Sequence, residues 1–106
     1  MVEMKELLEF IEGEADRLAE HYGQTETEMK YRASMKLAEE TGECVGEALK
    51  HLGMQRKDKL DAMDEAELGK EMADVIFVTM IMAKRFGIDI EKSMADKMEI
   101  IKGRNY

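Results

Sequence analysis

The sequence has no proline and no tryptophan, and only three phenylalanines and three tyrosines. Without proline, and with many Glu, Lys, Met, Leu and Ala, the chain favours helices joined by short connections. Its single cysteine, Cys44, excludes an internal disulfide and a multi-cysteine zinc site. Basic residues are also short, at 16 against 24 acids, for a formal charge of −8. A general duplex-DNA or anionic-membrane binder needs a basic face, so both classes are excluded. The start, MVEMKELLEF, has acids where a signal peptide needs a basic region and an apolar run. The longest apolar stretch, Val75 to Met82, is broken only by Thr79 and is too short to span a bilayer. These absences lead us to expect a soluble, cytoplasmic protein.

What is present fits one all-α domain over residues 1–106. Met4, Leu7, Leu8, Ile11, Ala15, Leu18 and Tyr22 recur at helical spacing, and Gly23 supplies a stop. Met29, Ala33, Leu37, Cys44, Ala48 and Leu49 mark a second helix, about 26–51. Gly42 and Gly46 lie inside it, which suggests close packing or a ligand on that face. A polar loop follows, 54–63, with Arg56, Lys57 and Lys59. Asp64 and Glu67 look like a capping pair for a third helix, about 65–86. Asp89 caps a fourth, about 90–102, with Ile90, Met94, Met98 and Ile101 facing inward.

The third helix is apolar on nearly every side from Val75 to Met82, so it must be buried on most faces. Helices two and three are each more than about 30 Å long, and a chain this short covers too little of them alone. The expected architecture is a four-helix bundle completed by homo-oligomerisation, as a homodimer or homotetramer. Eleven methionines suit adaptable packing at such an interface.

Two helices carry acids where a core-facing stripe belongs. Glu40 and Glu43 are three residues apart and share a face, and Glu71 and Asp74 repeat that spacing. Asp74 directly precedes the most apolar stretch, where an unpaired charge is costly. Packed side by side, the helices bring four carboxylates together. Mutual repulsion raises their pKa values, and divalent cations relieve it. An all-oxygen set selects Mg²⁺, with Mn²⁺ as a substitute, over zinc. The competing reading is a solvated acidic face on a structural helical oligomer. A ferritin-like di-iron site needs a histidine three residues after a glutamate. His21 and His51 instead follow Leu18 and Ala48 at that spacing, so this alternative falls.

The motif Glu39-Glu40-Thr41-Gly42-Glu43, separated by 27 intervening residues from Glu71-Met72-Ala73-Asp74, resembles the two-part signature of MazG-type proteins. Lys36-Leu37-Ala38, Val75-Ile76-Phe77 and Phe86-Gly87-Ile88-Asp89-Ile90-Glu91 extend the likeness over about 31–104. The resemblance implies an all-α nucleoside triphosphate pyrophosphohydrolase that sanitises nucleotide pools. It converts an NTP or dNTP to the monophosphate and pyrophosphate. It further implies that Glu40, Glu43, Glu71 and Asp74 hold Mg²⁺, that Glu39 is the catalytic, water-orienting position, and that Lys97, Lys102 and Arg104 bind the phosphates. Many relatives carry an asparagine between the two C-terminal basic positions, where this chain has Ile100 and Ile101. That departure leaves an alternative, a catalytically silent nucleotide- and metal-binding module.

An anionic protein acting on an anionic substrate needs metal ions to bridge them. Positioning and electrostatics then carry most of phosphoryl transfer. Tyr22, Tyr31, Phe77, Phe86 and Tyr106 are the candidates for stacking on a base, with core packing the expected place of the two phenylalanines. Arg56, Lys57 and Lys59 are expected to be solvated.

Overall fold

The computed structural model describes residues 1–53 and 65–105. The polar loop with Arg56, Lys57 and Lys59, the Asp64 cap and Tyr106 lie outside the described residues. Four helices follow in order: α1 (Met4–Tyr22), α2 (Glu26–His51), α3 (Glu65–Arg85) and α4 (Ile90–Lys102). No strand occurs among the described residues. The fold is all-α, with helix ends within two residues of those expected from periodicity.

Local chemistry accounts for the ends. Gly23 takes φ 59°, a left-handed value open to glycine, and its N–H closes α1 on the Ala19 carbonyl. Two residues later Thr25 accepts from the Glu28 N–H, while Glu28 accepts from the Thr25 N–H. This reciprocal capping box starts α2. Gly87, at φ 67°, turns the chain out of α3, and Asp89 caps α4 by accepting from the Lys92 N–H at 3.0 Å.

α2 and α3 form the main packed pair and run antiparallel. Lys30, early in α2, lies over the Phe86 ring just beyond α3, whereas His51 at the end of α2 comes 3.9 Å from Glu65 at the start of α3. α1 packs on α3. Arg85 fastens it by donating to the Ala15 carbonyl at 2.7 Å, and Lys84 pairs with Glu12. The buried apolar core is Ile11, Ala15, Ala33, Met80 and Ala83. Phe77 packs against Phe10, with ring centroids 5.6 Å apart.

Several expectations need correction. The inward face of α4 is not buried within the chain: Met94, Met98 and Ile101 are exposed and Ile90 is half-buried. The reason is that α4 meets the other helices only marginally. α3 is also left open within one chain, as expected for a chain this short, since α2 and α1 leave Met72 and Ile76 exposed. Phe86, expected in the core, is exposed beneath Lys30. No described heavy atom lies close to a side chain built at Gly42 or Gly46, so close packing within the chain does not explain either glycine. Gly42→Ala is therefore expected to stabilise the chain by up to about 1 kcal/mol in chemical denaturation, and a loss of stability would contradict this.

No helix of the described residues is long and apolar enough to cross a membrane.

Candidate active site

The antiparallel pairing brings the second half of α2 against the first half of α3. One carboxylate oxygen each from Glu40, Glu43 and Glu71 lie within 4.8 Å of one another. Glu40 is buried at 8% exposure, Glu71 is half-buried and Glu43 is exposed, so the group spans from the helix interface to its rim. Asp74 is exposed, one turn beyond Glu71, and outside this three-oxygen group. Its charge still acts there by raising the Glu71 pKa.

The cluster is electrostatically unsatisfied. Burial pushes the Glu71 carboxyl above its ordinary value of 4.5, with the charges of Asp74, Glu40, Glu47 and Glu67 adding to the rise. Glu43 is raised chiefly by the Glu40 charge beside it, then by burial, a hydrogen bond with Glu40, and the charges of Glu71 and Glu39. The Oε2 atoms of Glu40 and Glu71 are buried without a hydrogen-bond partner. Such atoms are costly to leave unmatched. Lys36 reaches the edge: its Nζ lies 3.3 Å from Glu39 Oε1 and 3.4 Å from Glu40 Oε1. The hydrogen bond to Glu39 is the main reason its pKa is raised. Lys36 holds one oxygen of Glu40, while the orphaned oxygen is the other.

These residues fit a divalent cation. The donors are all carboxylate oxygens, which suit Mg²⁺ or Mn²⁺. Two buried oxygens lack any other partner. Ligand oxygens on one Mg²⁺ sit up to about 4.2 Å apart, twice the ~2.1 Å bond length, so the observed spread needs little contraction.

Glu39 is exposed on the flank of the cluster, tied to Lys36. Lys97, Lys102 and Arg104 are not drawn in: Lys97 and Lys102 lie along α4 and Arg104 just beyond it, all exposed, and α4 makes little contact with α2 or α3. Lys102 donates to Glu99 at 3.1 Å. Two residues escaped the sequence reading. Lys36 precedes Glu39 and Glu40 by three and four, and Glu47 follows Glu43 by four on the acidic face. Both follow from helical spacing alone.

The family profile of phosphoribosyl-ATP pyrophosphohydrolase matches residues 4–99. The chain belongs to this family. Comparison with curated proteins and with solved structures gave no match. The phosphoribosyl-ATP pyrophosphohydrolase family is all-α, related to the MazG type, and acts on nucleoside triphosphates. The helix pair carrying Glu40, Glu43 and Glu71 lies wholly within the matched span. The class, a hydrolase of phosphoric anhydrides, therefore agrees with the motif reading.

Proposed function

We propose that this chain is a Mg²⁺-dependent NTP or dNTP pyrophosphohydrolase of MazG-like type that acts in nucleotide-pool sanitising and works as a homo-oligomer. The observation that carries the reading is the trio of carboxylates on α2 and α3, two of them with orphaned buried oxygens, in a chain of a pyrophosphohydrolase family. Membership of the MazG group proper is supported by Glu39-Glu40-Thr41-Gly42-Glu43 and Glu71-Met72-Ala73-Asp74.

Glu40, Glu43 and Glu71 would hold Mg²⁺, with Asp74 one turn away as a further carboxylate. When bound, the ion neutralises phosphate charge and lowers the pKa of bound water. The chain's own residues do the rest. Water adds across the α–β phosphoanhydride, that anhydride bond breaks, and nucleoside monophosphate and pyrophosphate form. Glu39, exposed at the flank, takes the water's proton. Lys36 keeps Glu39 and Glu40 oriented through its two contacts. Lys97, Lys102 and Arg104 hold the polyphosphate tail, the arginine being suited to bidentate contact. Because α4 stands off from α2 and α3 of its own chain, we assign these cations to the cluster of a neighbouring copy.

The test is a panel of NTPs and dNTPs, with phosphoribosyl-ATP included, assayed for pyrophosphate with and without Mg²⁺. Metal-dependent pyrophosphate from one or more substrates is expected, and their ranking identifies the base. Orthophosphate as the product contradicts the reaction. Tight nucleotide binding without turnover points to the silent module.

A further inference from the structure

Cations accompany acids along the helices, and one pairing breaks the common order. Glu14–Arg17, Glu47–Lys50, Glu67–Lys70 and Glu99–Lys102 each put the acid first. That order suits the helix dipole and gives a helix its small gain from ion pairs. Lys36 reverses it, preceding Glu39 by three and Glu40 by four. Lys92 does the same with Asp96, but there both side chains are open to solvent. The Glu40 side chain is only 11% exposed, against 45% for Lys36. Lys36 thus carries its ammonium from the surface to a buried carboxylate, in the order that helps the helix least.

The contact divides the oxygens of Glu40. Lys36 Nζ lies 3.4 Å from Oε1, while Oε2 is the buried atom without a hydrogen-bond partner. The ammonium and a divalent cation therefore need not compete, since each has its own oxygen. A carboxylate held by one oxygen presents the other in a fixed plane. The broad terminal torsion of a free glutamate does not. The same ammonium donates to Glu39 Oε1 at 3.3 Å. Lys36 and Glu39 also line an open groove of about 440 Å³, together with Tyr31, Arg32 and Met35. One atom ties the buried carboxylate to the carboxylate on the solvent side.

We propose that Lys36 is a positioning residue of the divalent-cation site: by holding Glu40 Oε1 it aims Oε2 at the ion, and by holding Glu39 it fixes that carboxylate where water arrives. The inference rests on the proposed metal-dependent reading for the ion. Its test reads ion binding without any nucleotide.

Two effects of opposite sign separate positioning from charge alone. An ammonium near a cation repels it, so its loss by charge alone tightens ion binding. Loss of the outer partner that holds a ligand carboxylate weakens ion binding by about 10- to 100-fold. The Lys36 side chain is 45% exposed and its charge is screened, so the second effect dominates. The direction of the change decides between them.

The measurement is Mn²⁺ binding to the metal-free chain, read from the electron-paramagnetic signal of free Mn²⁺. Lys36→Met keeps the length of the stem and a similar helix propensity. It is expected to bind Mn²⁺ about 10- to 100-fold more weakly than wild type. Lys36→Arg, which keeps charge and donors, is expected to recover most of the affinity. Lys36→Gln repeats the test with a polar side chain and guards against a packing change in the first variant. In saturating Mg²⁺, Lys36→Met should lower kcat at least about tenfold with KM little changed, the pattern of a group that acts on the reacting centre and not on substrate binding. Mn²⁺ held as tightly or more tightly by Lys36→Met and Lys36→Gln overturns the proposal. A raised KM with unchanged Mn²⁺ affinity also overturns it, and makes Lys36 a phosphate contact instead. No Mn²⁺ uptake by wild type removes the metal reading, and this inference with it. Weakened Mn²⁺ binding in the variants, with no pyrophosphate from any nucleotide, keeps the Lys36 assignment and removes the reaction.

Discussion

Glu40→Gln is expected to lower kcat by about 10³-fold, the scale seen when one preorganised electrostatic group is removed from an active site. The replacement keeps the shape of the side chain and removes its charge. It also turns one end of the group into a donor, aimed at a cluster where Glu43 and Glu71 lie within 4.8 Å. A cation held by three carboxylates loses one of them and meets an N–H instead. The same change removes the charge that does most to raise the Glu43 pKa. The metal-free variant should therefore melt at or above the wild-type temperature while being inactive. Inactivity with lowered stability would indicate a packing defect and would argue against the assignment. Asp74→Asn is expected to act in the same direction, since its charge acts on Glu71. It tests whether an exposed carboxylate one turn away joins the site.

The second large effect is on stability. Glu43 and Glu71 have folded-state pKa values raised above 4.5. Raised acids favour the folded state below their unfolded value and lose that contribution as pH rises through the folded value. The metal-free protein should thus be most helped by the cluster near pH 4.5 and should lose that help on the way to neutrality. At pH 7 the ionised cluster opposes folding, and Mg²⁺ reverses the effect. At one hundred times its dissociation constant an ion adds about 2.7 kcal/mol by mass action, which for a chain of this size is roughly 10 °C or more in Tm. The measurement is a melting series from pH 4.5 to 7.5 in EDTA and in Mg²⁺, on wild type and Glu43→Gln. The two wild-type curves should diverge as pH rises, and the variant's should stay close together. Parallel wild-type curves would favour a solvated acidic face.

The helices were legible because their signals are local. Periodicity, Gly23, Gly87 and Asp89 are read within a few residues, and the ends of α2 and α4 agree with the sequence reading. The pairing of Glu40 and Glu43 with Glu71 was legible because two motifs of matching spacing imply one shared face. The surroundings of α4 were not. An amphipathic face says that something covers it, and Met94, Met98 and Ile101 remain exposed in a single chain. The same limit applies to Asp74, whose place before an apolar run suggested burial that one chain does not supply. The contacts of Arg32, which lies 3.6 Å over the Tyr22 ring and donates to Gln24 Oε1 at 3.1 Å, were also hidden, because they depend on how α1 turns at Gly23 onto the start of α2. Tyr22 could be named as a stacking residue from composition, but its guanidinium partner, ten residues on, could not.

The most direct test of the central claim is pyrophosphate release by wild type and Glu43→Gln, side by side, in Mg²⁺ and in EDTA. Glu43 is the exposed member of the trio, so its replacement disturbs packing least. Pyrophosphate is expected from wild type in Mg²⁺ alone, with a loss of at least about 10²-fold in the variant. Equal pyrophosphate from both proteins, or release from wild type that persists in EDTA, would contradict a divalent-cation site built from Glu40, Glu43 and Glu71.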